Sequence, residues 1–379
     1  MYKPGERRLS QFAFIWPALA AASASDMAAL VAKHFVGLAV GPEGGVPKSE
    51  PKWATPNTIA LELKSVHLRD FSSAETGVPT LICAPFALHG AAVADIAPGH
   101  SLVATLRGAG LSRVFVTDWR SATADMRFFA IDDYLADINV LVDRLGGSVD
   151  LIGLCQGGWM SLLYTARFPA KVRKLVLVGA PIDIAAGPSG LSALIDGSPP
   201  ALFHELVHLG DGRVLGDSML KFWGPVELSS REIHDMLQAS DPIGSPAFAK
   251  LEKVFRDWHA WTVDLPGVYY LEVIEKLFKN NQIARSEFVA LGERLDLAKM
   301  QTPVFMLAAS EDELVAAAQL FSIERLIGTP THNIRKAIAP CRHVGLFAGK
   351  TTLADYWPKI ADWLSGSDVS DFARRGAAA

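Results

Sequence analysis

Short runs of apolar or alternating residues, rich in β-branched side chains, recur along the chain from residue 59, and helix-length stretches with one polar stripe separate them. The runs fall at 59–63, 80–84, 114–117, 149–154, 175–179, 304–308 and 334–338, lengths that suit strands rather than helices. Between them the spacing of apolar positions predicts helices at 100–107, 131–145, 157–168 and 352–364. Strand alternating with helix predicts an α/β architecture, a mostly parallel central sheet with helices on both faces.

The alternation stops between 185 and 297. There Trp223, Phe248, Phe255, Trp258 and Trp261 sit among helical patterns, and no run reads clearly as a strand. A connection of this length is far beyond the usual few residues. The expected organisation is therefore a core made of 58–184 and 298–366, interrupted by a helical cap at 185–297; the alternative is a pair of connecting helices with a long loop. Before the core, 1–57 reads as a helical segment followed by a Gly- and Pro-rich linker at 41–51, and 367–379 reads as a frayed Ala-rich tail. The apolar stretch 12–24 follows Lys3, Arg7 and Arg8 and has the look of a secretory leader, but Pro17 inside it favours a peripheral helix. It falls short of the ~20 apolar residues that span a bilayer.

With 379 residues, half of them hydrophobic, the chain can bury a large core. A net charge of -4 leaves no basic concentration to neutralise a run of phosphates, so nucleic acid is not expected as a partner. Three widely spaced cysteines, Cys83, Cys155 and Cys341, form neither a disulfide framework nor a zinc-ligand pattern, and point to a reducing, cytoplasmic setting with no metal and no prosthetic group.

One cysteine carries chemistry. Gly153-Leu-Cys155-Gln-Gly157 lies directly between the strand at 149–154 and the helix at 157–168. A nucleophile held on so sharp a turn requires neighbours two before and two after it that have almost no side chain, so that strand and helix can approach. Gly153 and Gly157 meet that need. The turn sets Cys155 at a helix N-terminus, where partial positive charge favours thiolate, and the Gln156 N–H is an oxyanion donor. The plain alternative is a small buried residue in a Gly-rich turn. This strand–turn–helix context is that of the α/β-hydrolase fold, in which an acid and then a histidine follow the nucleophile. The strand at 304–308 runs into Glu311-Asp312-Glu313, of which Asp312 is the expected acid and its two neighbours the competitors; an acidic surface turn is the alternative. His343, in the loop after the last strand, is the expected base. The second oxyanion donor is expected from the loop after the early strand, the N–H of Phe86 or Ala87. Cys83 and Cys341 read as packing residues, and His89 as either a packing residue or one that lines the site.

These residues resemble the polyhydroxyalkanoate synthase family, especially its short class III form, and its relatives the intracellular depolymerases. The resemblance runs from about residue 79 to 364, through Asp95-Ile-Ala-Pro-Gly-His-Ser-Leu-Val103, Val116-Thr-Asp-Trp119, Ile131-Asp-Asp-Tyr134, the box Gly153-Leu-Cys-Gln-Gly-Gly158, Thr262-Val-Asp-Leu-Pro-Gly267 and His343-Val-Gly345. Ala84-Pro-Phe-Ala-Leu-His-Gly90 departs from the Pro-Pro-x-Ile-Asn type of the synthases, and Gly179-Ala-Pro-Ile-Asp183 resembles the depolymerases, while Cys-Gln-Gly-Gly-Trp resembles the synthases. The resemblance implies a triad of Cys155, Asp312 and His343 acting on 3-hydroxyacyl thioesters or polyesters, with coenzyme A as part of the substrate. Three functions compete: a synthase-like acyltransferase, a depolymerase or thioesterase with water as acceptor, and a non-catalytic protein of a polymer granule surface. The partners left open are a granule surface, a homo-oligomer and a partner subunit.

Overall fold

The computed structural model describes residues 49–223 and 228–366, with the side chains of 221–223 outside the description. The segment expected to be helical before residue 49, the tail after 366 and the Trp223 side chain lie outside the described residues.

Eight strands form one sheet: β1 (Thr58–Glu62), β2 (Val66–Asp70), β3 (Thr80–Cys83), β4 (Val114–Trp119), β5 (Val149–Leu154), β6 (Val172–Val178), β7 (Val304–Ala309) and β8 (Ile334–Ala339). Their order across the sheet is β1-β2-β4-β3-β5-β6-β7-β8. The first two pairings, β1 with β2 and β2 with β4, are antiparallel, and every later one is parallel. The parallel strands β3, β5 and β7 are buried along their whole length. This explains why they read as unbroken apolar runs, since both faces of the sheet are covered.

Between the strands lie α1 (Leu102–Gly108), α2 (Ile131–Arg144) and α3 (Gln156–Arg167). Residues 156–165 of α3 are all buried. A helix apolar on every side belongs inside a protein, and α3 accordingly packs against β5 and β6 in the middle of the sheet. At the C-terminal end of the chain the expected single helix is two, Lys350–Asp355 and Trp357–Ser365, parted at Tyr356. Pro358 has no N–H to donate and its ring obstructs a continuous helix, so the second helix begins afresh around it.

Two expectations need correction. The alternation Val66-His-Leu-Arg-Asp70 is a strand that the apolar runs did not include, because its outward residues are charged or polar. The core also begins before residue 58: Trp53 packs on Phe71 at 5.3 Å, and the Thr55 N–H and hydroxyl bind the buried Asp95 carboxylate at 2.7 and 2.8 Å.

From β6 to β7 the chain makes a long excursion, mostly helical. Its described elements include Gly190–Gly197, Pro200–Leu209, Ser230–Leu237, Pro246–Ala260 and Gly267–Glu272, the last running on into a wider-pitched turn at Val273–Lys279. Against expectation it also contains two-residue ribbons, Arg213–Val214 with Leu265–Pro266 and Val289–Ala290 with Glu293–Arg294. Paired stretches this short leave no periodicity to read. The excursion is fastened to the core: Glu272 Oε2 accepts from the Ile131 N–H at 2.9 Å at the start of α2, and the Leu291 N–H donates to Asp132 at 2.8 Å. At its base Asp183, 4% exposed, accepts from Asn281 Nδ2 at 2.7 Å and pairs with Arg325.

Candidate active site

The parallel strands bring the candidate residues to one edge of the sheet. Phe86 and Ala87 follow β3, Cys155 follows β5, Asp312 follows β7 and His343 follows β8. Ligand sites of open α/β sheets lie beyond these carboxyl ends.

Cys155 stands between β5 and α3 with φ 48° and ψ -115°. A side chain at positive φ, in a conformation foreign to both strand and helix, costs on the order of 1–3 kcal/mol and persists only where the surroundings enforce it. The enforcement is visible. The Cys155 N–H donates to Val178 O at 2.8 Å, and a Cβ at Gly157 would lie 2.1 Å from the Cys83 carbonyl oxygen. A Cβ at Gly153 would lie 2.5 Å from the Gly158 Cα, and one at Gly158 would lie 2.4 Å from the Ala180 Cβ. Three glycines therefore let strand, turn and helix touch. The Gln156 N–H, first in the helix, has no intrahelical partner, and the Gln156 side chain is occupied by the Trp159 indole N–H.

Asp312 and His343 meet at the other side. Asp312 Oδ2 lies 2.8 Å from His343 Nδ1, and the two side chains are 2% and 5% exposed. Asp312 Oδ1 accepts from the N–H groups of Leu314 and Val315, each at 2.9 Å, which fixes the carboxylate plane. Its neighbours do different work. Glu313 accepts from the His343 backbone N–H at 3.2 Å and from Arg342 at 3.1 Å, so it holds the loop, not the ring. Glu311 is exposed.

With Nδ1 given to the carboxylate, Nε2 is left to Cys155; it is buried and meets no group in standard hydrogen-bond geometry among the described residues. Burial by itself would lower the His343 pKa, but the Asp312 charge and then the Cys155 sulfur, through charge and hydrogen bonding, raise it well above the usual imidazole value.

The remaining cysteines are packing residues of the core. Burial pushes the Cys83 thiol up to about 12 and the Cys341 thiol up to about 11. His89 packs against Trp258 and His259 of the excursion at ring distances of 4.9 and 4.7 Å. Among the described residues no group of His, Cys, Asp and Glu is arranged to hold a metal ion, and no helix is long and apolar enough to cross a membrane.

Sequence reasoning missed two contributors. Gly179 has φ 54°, and a Cβ there would lie 3.1 Å from the His343 ring and 2.8 Å from Leu346. A glycine closing a buried strand next to the strand that ends at Cys155 was the available signal. Tyr269, fully buried, reaches from the excursion to donate to the Phe86 carbonyl at 3.2 Å, and nothing in the sequence pairs those two positions.

The family model described as alpha/beta hydrolase fold matches residues 102–350. Among curated proteins, the chain is 30% identical over 287 residues to the poly(3-hydroxyalkanoate) polymerase subunit PhaC of Synechocystis sp., covering 72% of this chain and 73% of that one. The chain belongs to the polyhydroxyalkanoate synthase family of α/β hydrolases. Its similarity to the PhaC subunit of Allochromatium vinosum is 27% over 278 residues, covering 72% of this chain and 76% of the relative. To that of Haloferax mediterranei it is 24% over 323 residues, covering 82% of this chain and spanning 64% of the relative's length.

Proposed function

We propose that this synthase-family chain is an enzyme in which Cys155, His343 and Asp312 act as nucleophile, base and orienting acid in the polymerisation of 3-hydroxyacyl groups supplied as coenzyme A thioesters. The observation that carries the reading is a cysteine at positive φ on a glycine-walled turn, beside an imidazole whose far nitrogen is held by a buried carboxylate.

In the first half-reaction the Cys155 sulfur, its proton passed to His343 Nε2, attacks the thioester carbonyl. The carbonyl oxygen becomes an oxyanion held by backbone N–H groups, of which Gln156 supplies one. As the intermediate collapses, the bond to coenzyme A breaks, and the departing sulfur takes the proton from His343. Cys155 now carries the acyl group as a thioester. In the second half, the 3-hydroxyl of another acyl unit gives its proton to His343 and attacks that thioester; an ester bond forms, the Cys155 sulfur leaves and is reprotonated. Asp312 keeps the Nδ1 proton in place and supports the imidazolium in both halves.

Water competes with the hydroxyl for the acyl-enzyme. The excursion between β6 and β7 serves as a cap against it: His343 is 4% exposed, and Phe255, Trp258 and Tyr269 of the excursion are buried. The polyester product implies a cytoplasmic granule surface as the protein's surroundings. Purified protein given 3-hydroxybutyryl-coenzyme A is expected to release coenzyme A and build insoluble polyester. Release with soluble hydroxy acid alone would point to a hydrolase using the same residues. No release would point to a binding role.

A further inference from the structure

The loop after β3 is gripped from two sides. From β4, Trp119 Nε1 donates to the Ala84 carbonyl at 2.9 Å, and Thr117 Oγ1 accepts from the Ala84 N–H at 3.0 Å. From the excursion, residues 258–269 reach every second carbonyl. The Tyr269 hydroxyl donates to Phe86 O at 3.2 Å, the Val263 N–H to Leu88 O at 2.9 Å, and Trp258 Nε1 to Gly90 O at 2.9 Å. His89 pairs with Thr262 in the same run. Alternate carbonyls thus face the excursion, although the chain bends at Ala87 and Leu88.

This grip has a directional consequence. In a trans peptide the carbonyl and the N–H of the same plane point in opposite directions. A donor that pins the Phe86 carbonyl therefore aims the Ala87 N–H the other way, away from the phenol. The Ala87 N–H donates no hydrogen bond among the described residues. The start of the loop crosses the N-terminus of α3, where Gly157 sits against the carbonyls of Cys83 and Ala84. Tyr269 itself has little freedom: its ring is buried between Phe86 at 5.1 Å, Tyr134 at 4.9 Å and Trp159 at 6.5 Å, and its hydroxyl also meets Met160 Sδ at 3.7 Å.

We propose that Tyr269 is a positioning residue that turns the Phe86–Ala87 peptide so that the Ala87 N–H, not that of Phe86, is the second oxyanion donor, and that the excursion thereby completes the oxyanion site of the core. The inference rests on Cys155 being the acyl carrier, so its test needs one readout that develops an oxyanion and one that does not. Alkylation of Cys155 by iodoacetamide is substitution at a saturated carbon and forms none; acylation by 3-hydroxybutyryl-coenzyme A forms one.

Tyr269→Phe keeps the ring and removes the donor. In the full-length protein, acylation is expected to slow by about tenfold or more, with the effect in kcat and KM unchanged, while the alkylation rate stays as in the wild type. Incorporation of 4-aminophenylalanine at position 269 restores a donor on the same ring and is expected to recover part of the loss. Unchanged acylation in Tyr269→Phe, equal slowing of both reactions, or no recovery with the amino analogue would each overturn the assignment. A wild-type protein that alkylates but never acylates would instead sink the acyl-transfer reading, and this assignment with it.

Discussion

Asp312→Asn isolates the contribution of one carboxylate. The substitution preserves shape, and Oδ1 keeps its two N–H donors from Leu314 and Val315 at 2.9 Å, so the side chain cannot turn over. The new amide NH2 then faces His343 Nδ1 at the 2.8 Å separation. Two donors cannot share that contact, so Nδ1 must become the acceptor and the imidazole proton moves to Nε2, the nitrogen that should receive the Cys155 proton. Loss of a charge-assisted hydrogen bond of about 1.5–3 kcal/mol slows acylation by about 10- to 150-fold on its own. The misplaced proton adds to this, and comparable tautomer errors in hydrolytic triads cost as much as ~10⁴-fold. Quenched acylation by 3-hydroxybutyryl-coenzyme A is therefore expected to fall by at least about 10²-fold.

A pH signature accompanies the rate. In the wild type the His343 pKa is raised, so its contribution to stability is complete below the unfolded value of about 6.5 and is lost as pH climbs through the folded value. In Asp312→Asn the carboxylate that raises the value is gone while burial still lowers it, so the wild-type loss of stability toward high pH is expected to shrink. Melting temperatures between about pH 5.5 and 7.5, below the titration of the unfolded cysteines, read this directly. A fall in acylation of less than about tenfold, with melting curves that track the wild type at every pH, would refute the reasoning.

Gly157→Ala sets a Cβ 2.1 Å from the Cys83 carbonyl oxygen and 2.7 Å from that of Ala84, both backbone atoms that cannot step aside. Thermal melting is expected to show a loss of about 1–3 kcal/mol, and the acylation rate a fall of ~10²-fold as the turn and the β3 loop move apart. Cys155→Ala is expected to abolish coenzyme A release, and Cys155→Ser to leave a trace at most, because His343 would have to deprotonate a far weaker acid. Near-normal release from the alanine variant would remove the covalent route.

Much of the framework was legible because burial on both faces of a parallel sheet leaves unbroken apolar runs, and β3, β5 and β7 are such runs. The turn was legible for a different reason: only glycine fits where a Cβ at 153 would lie 2.5 Å from the Gly158 Cα, so packing wrote itself into residue type. Elements whose order comes from partners were not legible. β2 carries Arg69, whose Nε donates to Asp118 on β4 at 2.6 Å, and its polarity hides a strand until that neighbour is known. Three consecutive acids, 311–313, look alike in sequence; what separates them is that one reaches the ring of His343, the next its backbone, and the first faces outward. The bond from Tyr269 to Phe86 spans 183 positions and depends on how the excursion folds back, which no local pattern records.

The account turns on where the acyl group resides. Rapid quenching of the protein with 3-hydroxybutyryl-coenzyme A, followed by proteolysis and mass spectrometry, is expected to find a hydroxylamine-sensitive acyl adduct on the peptide containing Cys155 and none in Cys155→Ala. Coenzyme A release with the adduct on Cys83 or Cys341, or with no protein adduct at any time, would contradict it.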